Sequence, residues 1–257
     1  MTNLIGQMAE ELFGIKADPD DVKGLREYLW KTYGSEGPEV IKKVFSSGEA
    51  AGFLTVNETY FFREPAHFAF LRDLLPSFEK TGVRICSAAV AAGCEAYSLA
   101  MLIEACNRGI DKPISYYIDA FDINPLVIET ACKGVYGSRS MREDGSCFHY
   151  MAEPYLKKQE SKYKAEYRID SSLKKNICFF VHNLMNELPS KEYDFIFFRN
   201  AFIYFTNPNK GRILSNLSAA LKKGGILVVG VSETAGVQHP DLESKNKNDV
   251  FFFEKTR

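Results

Sequence analysis

"RICSAAVAAGCEAYSLAMLIEA", residues 84–105, joins an apolar run to a helical pattern through a tight cluster of small residues. In a chain of alternating strands and helices, that junction is where a ligand-binding turn sits. The turn holds one glycine, Gly93, among Ala88, Ala89, Ala91 and Ala92, and Cys94 follows it. It is not a G-x-G-x-x-G loop, and a lone glycine marks a plain bend as readily as a ligand loop. Positive φ is expected at Gly93 alone, which would leave the turn unable to wrap a pyrophosphate.

Outward from this junction the pattern is regular. Strands are expected at "VRICSAA", "ISYYIDAFDI", "NICFFVHNL", "YDFIFFRN", "ILVVGVSE" and "DVFFFEKT". Helices are expected at "CEAYSLAMLIEACNRG", ended by Gly109, at "PLVIETACKGV", and at "NKGRILSNLSAALKKGG", ended by its glycines. The alternation predicts an α/β, doubly wound parallel sheet with helices on both faces. Upstream, residues 1–52 read as short helices. "DPDDVKGLREYLWKTYG" starts with acids and Pro19 and ends at Gly34, "GPEVIKKVFSSG" follows, and "EPAHFAFLRDLLPSF" opens on Pro65. The expected division is a helical region and linker over 1–76 and a core over 77–257. Residues 138–175 are polar, charged and tyrosine-rich, and break the alternation. Ordered loops of that length are uncommon. The segment reads as an inserted subdomain, a helix plus a short antiparallel hairpin, with a disordered insertion as the alternative.

The 257 residues are 46% hydrophobic and 25% charged, with net charge −1. Nothing global points to nucleic acid or an anionic membrane. The first residues lack a signal-peptide pattern, and no apolar run is long enough to span a bilayer. Six cysteines (86, 94, 106, 132, 147, 178) form no CxxC and no metal-ligand spacing with the four histidines. Scattered thiols of this kind suggest a reducing, cytoplasmic home.

Polar residues recur at the carboxyl end of each expected strand: Glu95 in the first turn, Asp122 and Asn124, then His182, Asn183 and Leu184, then Arg199 and Asn200 with Tyr204 beyond. Asp122 ends the second strand, near the ~20-residue offset at which a dinucleotide fold places an acid on ribose hydroxyls. It reads equally well as the cap of the helix that begins near Pro125. A ligand without phosphates, such as S-adenosylmethionine, suits the Ala-rich turn better than NAD. "VNETYFFREPAHF" (56–68) sets Asn57, Glu58, Thr59 and Arg63 among aromatic residues. It reads either as a cover over the ligand crevice or as an aromatic linker packed on the sheet.

Taken in order, "NETYFFREPAHF", "SAAVAAGCEAYSLAM", "FDINPLVIETACKGVY", "NLMNELP", "YDFIFFRNAFIYF" and "LKKGGILVVGVSET" resemble the CheR family of chemoreceptor glutamate methyltransferases, over about Thr55–Lys255. The resemblance implies a class I S-adenosylmethionine-dependent methyltransferase core with a helical N-terminal region and a small inserted β-subdomain. It implies cofactor contacts from Asn57, Thr59, Arg63, Glu95, Asp122, Asn183, Leu184, Arg199 and Asn200, with Arg63 and Tyr204 nearest the transferring methyl, and no metal. The implied acceptor is a glutamate side chain in the cytoplasmic domain of a chemoreceptor or similar signalling protein. Composition and cysteine usage give the further expectations of a cytoplasmic protein that neither binds nucleic acid nor inserts in a membrane, and nothing in the sequence demands more than a monomer.

Two departures from the family pattern stand out. The family carries two successive acids in the first turn, where this chain has Cys94 and Glu95. Cys94 reads as a small residue at a helix start, or as a thiol whose pKa the helix N-terminus lowers. The helical region that docks the receptor in the family is short here and holds few basic residues (Lys23, Arg26, Lys31, Lys42, Lys43). A non-catalytic S-adenosylmethionine-binding module and a methyltransferase with a different carboxylate acceptor are the alternatives.

Overall fold

The computed structural model describes residues 2–108, 110–142, 148–160 and 165–257. The expected helix end at Gly109, the cysteine at 147 and residues 161–164 of the inserted segment lie outside the described residues. Ten strands are described: β1 (Val83–Ala88), β2 (Tyr116–Asp122), β3 (Val135–Gly137), β4 (Leu156–Glu160), β5 (Ala165–Ile169), β6 (Ile177–Val181), β7 (Tyr193–Phe198), β8 (Leu221–Val229), β9 (Leu242–Lys247) and β10 (Val250–Lys255). Seven of them form one sheet in the order β6-β2-β1-β7-β8-β10-β9. β6, β2, β1, β7 and β8 pair in parallel, while β10 is antiparallel to both neighbours. The order reverses between β1 and β7, so the crevice beyond their carboxyl ends is the topological switch point, where such sheets bind ligands. This is the expected doubly wound core, with β10 and β9 making its edge antiparallel.

The α-helices are α1 (Thr2–Met8), α2 (Pro19–Tyr33), α3 (Pro38–Ser46), α4 (Ala51–Leu54), α5 (Pro65–Leu74), α6 (Cys94–Asn107), α7 (Pro125–Lys133), α8 (His149–Ala152), α9 (Ser171–Lys174) and α10 (Asn207–Ala220). α2 forms as its punctuation predicts: the Asp18 side chain accepts from the Asp20 amide, and Gly34 ends the helix in the left-handed region at φ 65°. Ile5, Leu25, Leu29, Val44 and Leu54 form a separate N-terminal core. From Phe61 onward, buried residues join the core of the sheet. α5 belongs there too: Phe70 packs on Phe252 of β10 with ring centroids 4.7 Å apart. We therefore propose that the two units divide within Thr55–Tyr60 rather than at residue 76.

Three expectations need correction. α10 ends at Ala220, and Leu221–Gly225 is not helical. Leu221 pairs with Tyr193, the β7–β8 register shifts just after it, and Gly224 takes φ 76°. The glycines serve an irregular strand entry instead of a helix cap. β9, "LESKNK", was not expected, because a charged edge strand carries no apolar alternation. Asn248 and Asp249, both at positive φ, make the two-residue turn that folds it onto β10. In the inserted segment, β4 and β5 form the expected antiparallel hairpin, and β3 pairs with β5 as a third strand, so this sheet begins at Val135.

Gly93 is the position where backbone freedom is required. Its φ is 89°, and a Cβ there would sit 2.7 Å from that of Ala131. Gly93→Ala is expected to cost about 2–4 kcal/mol through strain and overpacking, seen as a lower melting temperature in calorimetry with the far-UV spectrum unchanged.

Candidate active site

The turn after β1 differs from its expected form. Ala89 (φ 56°) and Ala91 (φ 50°) join Gly93 in the left-handed region. Each such alanine costs ~1–2 kcal/mol, and the surroundings hold both in place. The Val90 amide donates to the Phe121 carbonyl at 2.9 Å. The Ala91 amide donates to Asp122 Oδ2 at 2.9 Å, and the Asn124 amide to Oδ1 at 3.0 Å. Asp122 is thus an anchor for the turn, not the helix cap. The α7 cap is Asn124, whose Oδ1 accepts from the Leu126 amide at 3.0 Å. Burial raises the Asp122 pKa, and the backbone donors of Asn124 and Ala91 oppose that rise.

At the end of β7, the Arg199 side chain is 2% exposed. Its Nη1 donates to Glu95 Oε2 at 3.0 Å, and its Nη2 lies 3.2 Å from Glu64 Oε2 and donates to the Arg63 carbonyl. Glu95 Oε1 accepts from Ser87 Oγ at 2.6 Å. Asn200, in the left-handed region at φ 59°, donates from its side chain to Glu64 Oε1 at 3.0 Å. Burial pushes the Glu64 carboxyl up, but Arg199, Asn200 and His67 together hold it below its ordinary range. His67 lies against the same cluster, with Nδ1 3.2 Å from Glu64 Oε2. Burial and then Arg199 push its pKa down to about 4 against the pull of Glu64, so its imidazole is neutral at pH 7.

One cleft is lined by all ten residues expected at the site: Asn57, Thr59, Arg63, Glu95, Asp122, Asn183, Leu184, Arg199, Asn200 and Tyr204. Several of these side chains are already engaged. Asn183 Nδ2 donates to the Leu12 carbonyl at 2.6 Å, and its Oδ1 accepts from the Met185 amide. Asn57 Nδ2 donates to the Thr55 carbonyl at 3.0 Å. Arg63 donates to the Glu58 carbonyl at 3.4 Å and lies over the Tyr60 ring. Both readings of "NETYFFR" hold: Phe61 and Phe62 are fully buried, while Asn57, Thr59 and Arg63 line the cleft.

Sequence reasoning missed Phe13 and Ile15, which reach the cleft from the N-terminal unit. There the helix widens into a π-turn over Ala9–Phe13, and Ile15 forms an antiparallel bridge with Phe205. The Lys16 amide donates to the Tyr204 carbonyl at 3.1 Å, and the Thr206 amide to the Gly14 carbonyl at 3.0 Å. No local motif marks this contact in the sequence; only a Gly14 at φ 77° hints that the chain turns there. Cys94, in contrast, is fully buried and absent from the cleft lining. Burial pushes its thiol up to about 12, with Thr59 and Ser140 contacts opposing, so the helix N-terminus does not activate it.

A doubly wound sheet with this order, and a cleft at its switch point, define the class of fold that binds a cofactor beyond its strand ends. Residues 57–252 match the family model described as CheR methyltransferase, SAM binding domain. A probable chemotaxis protein methyltransferase of Rhizobium etli is 31% identical over 219 residues, covering 82% of this chain and 78% of the relative. A chemotaxis protein methyltransferase of Listeria monocytogenes is 31% identical over 229 residues, covering 88% and 82%. A probable biofilm formation methyltransferase, WspC, of Pseudomonas aeruginosa is 31% identical over 227 residues, covering 82% of this chain and 50% of that one. The chain belongs to the CheR methyltransferase family.

Two measurements follow from the site. Because the folded pKa of His67 lies below its ordinary 6.5, the unfolded chain binds the proton first on acidification. Stability is therefore full above pH 6.5 and falls between pH 6.5 and about 4. His67→Gln should flatten that slope in urea titrations at pH 7 and pH 5. Between those two pH values the difference should reach at most ~2 kcal/mol; His182, also lowered by burial, adds a change of the same sign. Cys94 of the folded wild-type protein should resist thiol reagents, and Cys94→Ala should retain turnover with a stability loss of about 1–2 kcal/mol from the small cavity.

Proposed function

We propose that this protein transfers the methyl group of S-adenosylmethionine to a glutamate side chain of a chemoreceptor-type signalling protein in the cytoplasm. The observation that carries this reading is that Arg63 and Tyr204, the two side chains assigned nearest the methyl, line the same cleft as Asp122, Glu95 and Arg199. Both are hydrogen-bond donors. An acceptor carboxylate is already ionised at neutral pH, since its reference pKa is ~4.3, so it needs orienting donors rather than a base. Burial raises the Tyr204 pKa, Arg63 opposes that rise, and Glu233, Glu58 and Asp21 add to it; the hydroxyl therefore remains a donor at neutral pH.

The residues present fit the cofactor. Arg199 Nε is buried without a hydrogen-bond partner among the described residues, beside Glu95. That donor and that carboxylate suit the carboxylate and ammonium of an amino-acid moiety. Phe121, Ile123 and Leu184 supply apolar walls for a purine. Asp122 retains acceptor capacity beyond its backbone donors, Ala91, Ile123 and Asn124, for a ribose hydroxyl. Asn57, Thr59, Asn183 and Asn200 complete the lining. Bound there, S-adenosylmethionine supplies a sulfonium methyl to an in-line nucleophile. Arg63 and Tyr204 would orient the two acceptor oxygens, and the buried walls would keep water away as opposite charges cancel. Too tight a grip by Arg63 on the attacking oxygen would blunt it, so its assigned role is orientation.

A second reading keeps the enzyme and changes the acceptor. The Pseudomonas aeruginosa relative carries the name of a biofilm formation methyltransferase, which points to signalling proteins beyond chemotaxis. A cofactor-binding module without catalysis has no use for Arg63 and Tyr204 in the cleft, which disfavours it. Incubation with methyl-labelled S-adenosylmethionine and receptor cytoplasmic fragments separates these readings. Base-labile label on glutamate is expected; cofactor binding without transfer to any carboxylate would defeat the proposal. Arg63→Ala and Tyr204→Phe should each lower kcat, by ~10²-fold for a lost oriented donor, with cofactor affinity little changed in calorimetry. Asp122→Ala should chiefly weaken cofactor binding, by about 10-fold or more.

A further inference from the structure

The loop after β7 carries Asn200 and Tyr204, yet it is short, irregular and strained. Asn200 takes φ 59°, and Ile203 stands 55% exposed at the rim. What fixes the loop comes from the neighbouring strand mouth. Glu233, in the turn after β8, is 3% exposed. Its Oε2 accepts from the Asn200 amide at 2.7 Å and the Gly230 amide at 2.8 Å, and its Oε1 from the Ile203 amide at 3.3 Å. One buried carboxylate thus holds both ends of the segment that leads into Tyr204. Gly230 makes room for it: a Cβ there would lie 2.7 Å from Glu233 Oε2 and 3.1 Å from the Asn200 nitrogen.

We infer that Glu233 is a positioning residue for methyl transfer, acting through the Asn200–Ile203 backbone on Tyr204 without touching either reactant. A carboxylate alone meets the demand. It presents only acceptors, and three backbone N–H groups converge on it. A glutamine has one acceptor oxygen and must turn an N–H toward a backbone N–H, which releases either Asn200 and Gly230 or Ile203. The inference rests on the reading that Tyr204 faces the acceptor.

The test is Glu233→Gln, alone and combined with Tyr204→Phe, in the full chain. Amide hydrogen exchange at Asn200 and Ile203 should quicken by about 10-fold or more while β7 stays protected. kcat should fall at saturating substrates by ~10-fold or more, with S-adenosylhomocysteine affinity within about threefold of wild type. In the Tyr204→Phe background the further loss should shrink to about threefold or less, since both act through one hydroxyl. Unchanged exchange at Asn200 and Ile203, or losses that multiply fully in the double variant, would overturn the inference. Tyr204→Phe at wild-type kcat would instead sink the assignment of Tyr204, because the exchange measurement does not depend on it. If Glu233→Gln shows no cooperative unfolding, exchange in Glu233→Asp decides; its shorter carboxylate cannot reach all three amides, and slow exchange there would overturn the inference.

Discussion

The buried guanidinium of Arg199 draws three separate stretches of chain into contact. Glu95 comes from the start of α6, Glu64 and the Arg63 carbonyl from the segment before α5, and Arg199 itself from the end of β7. A cation with 2% side-chain exposure is tolerable only when paired and hydrogen-bonded, and removing one partner of such a pair costs ~3–5 kcal/mol. The site is therefore built into the stability of the core. A conformation that misplaced Glu64 or Glu95 would leave Arg199 buried and uncompensated.

Strain gathers around the same point. Phe62, Glu64, Ala89, Ala91 and Asn200 all occupy the left-handed region without being glycine. Three of them are held by a bond from another element: the Phe62 amide to Ser98 Oγ, the Ala91 amide to Asp122, the Asn200 amide to Glu233. Backbone strain persists where surrounding structure over-determines it, and it concentrates at functional sites. Here it lets alanines do the work of a glycine-rich turn. The expectation that one glycine means one positive φ failed for that reason.

The N-terminal unit closes one wall of the cleft. Phe13 and Ile15 line it, and backbone bonds from Gly14 and Lys16 reach Thr206 and Tyr204. Binding at the cleft and the packing of the helical unit are thereby linked. The helical region is part of the site as well as a neighbour to it.

Periodicity was enough to read the parallel core, because β1 and β7 are buried on both faces and run as near-continuous apolar segments. The ten expected residues come from the family resemblance; that they meet in one cleft follows from their places at strand mouths or in "NETYFFR". Short-range signals also placed α2, α7 and the antiparallel hairpin. Other features depended on partners far along the chain. β9 is a strand because β10 pairs with it, and Leu221–Gly225 leaves the helix because Tyr193 offers a ladder position. Cys94 is buried by neighbouring elements, which pushes its thiol pKa up, whatever the helix terminus would do in water. Ile15 meets Phe205, and Glu233 meets Asn200, across 190 and 33 positions of sequence. Backbone hydrogen bonds and close packing form such pairs without any side-chain signature, so only the tertiary structure could decide them.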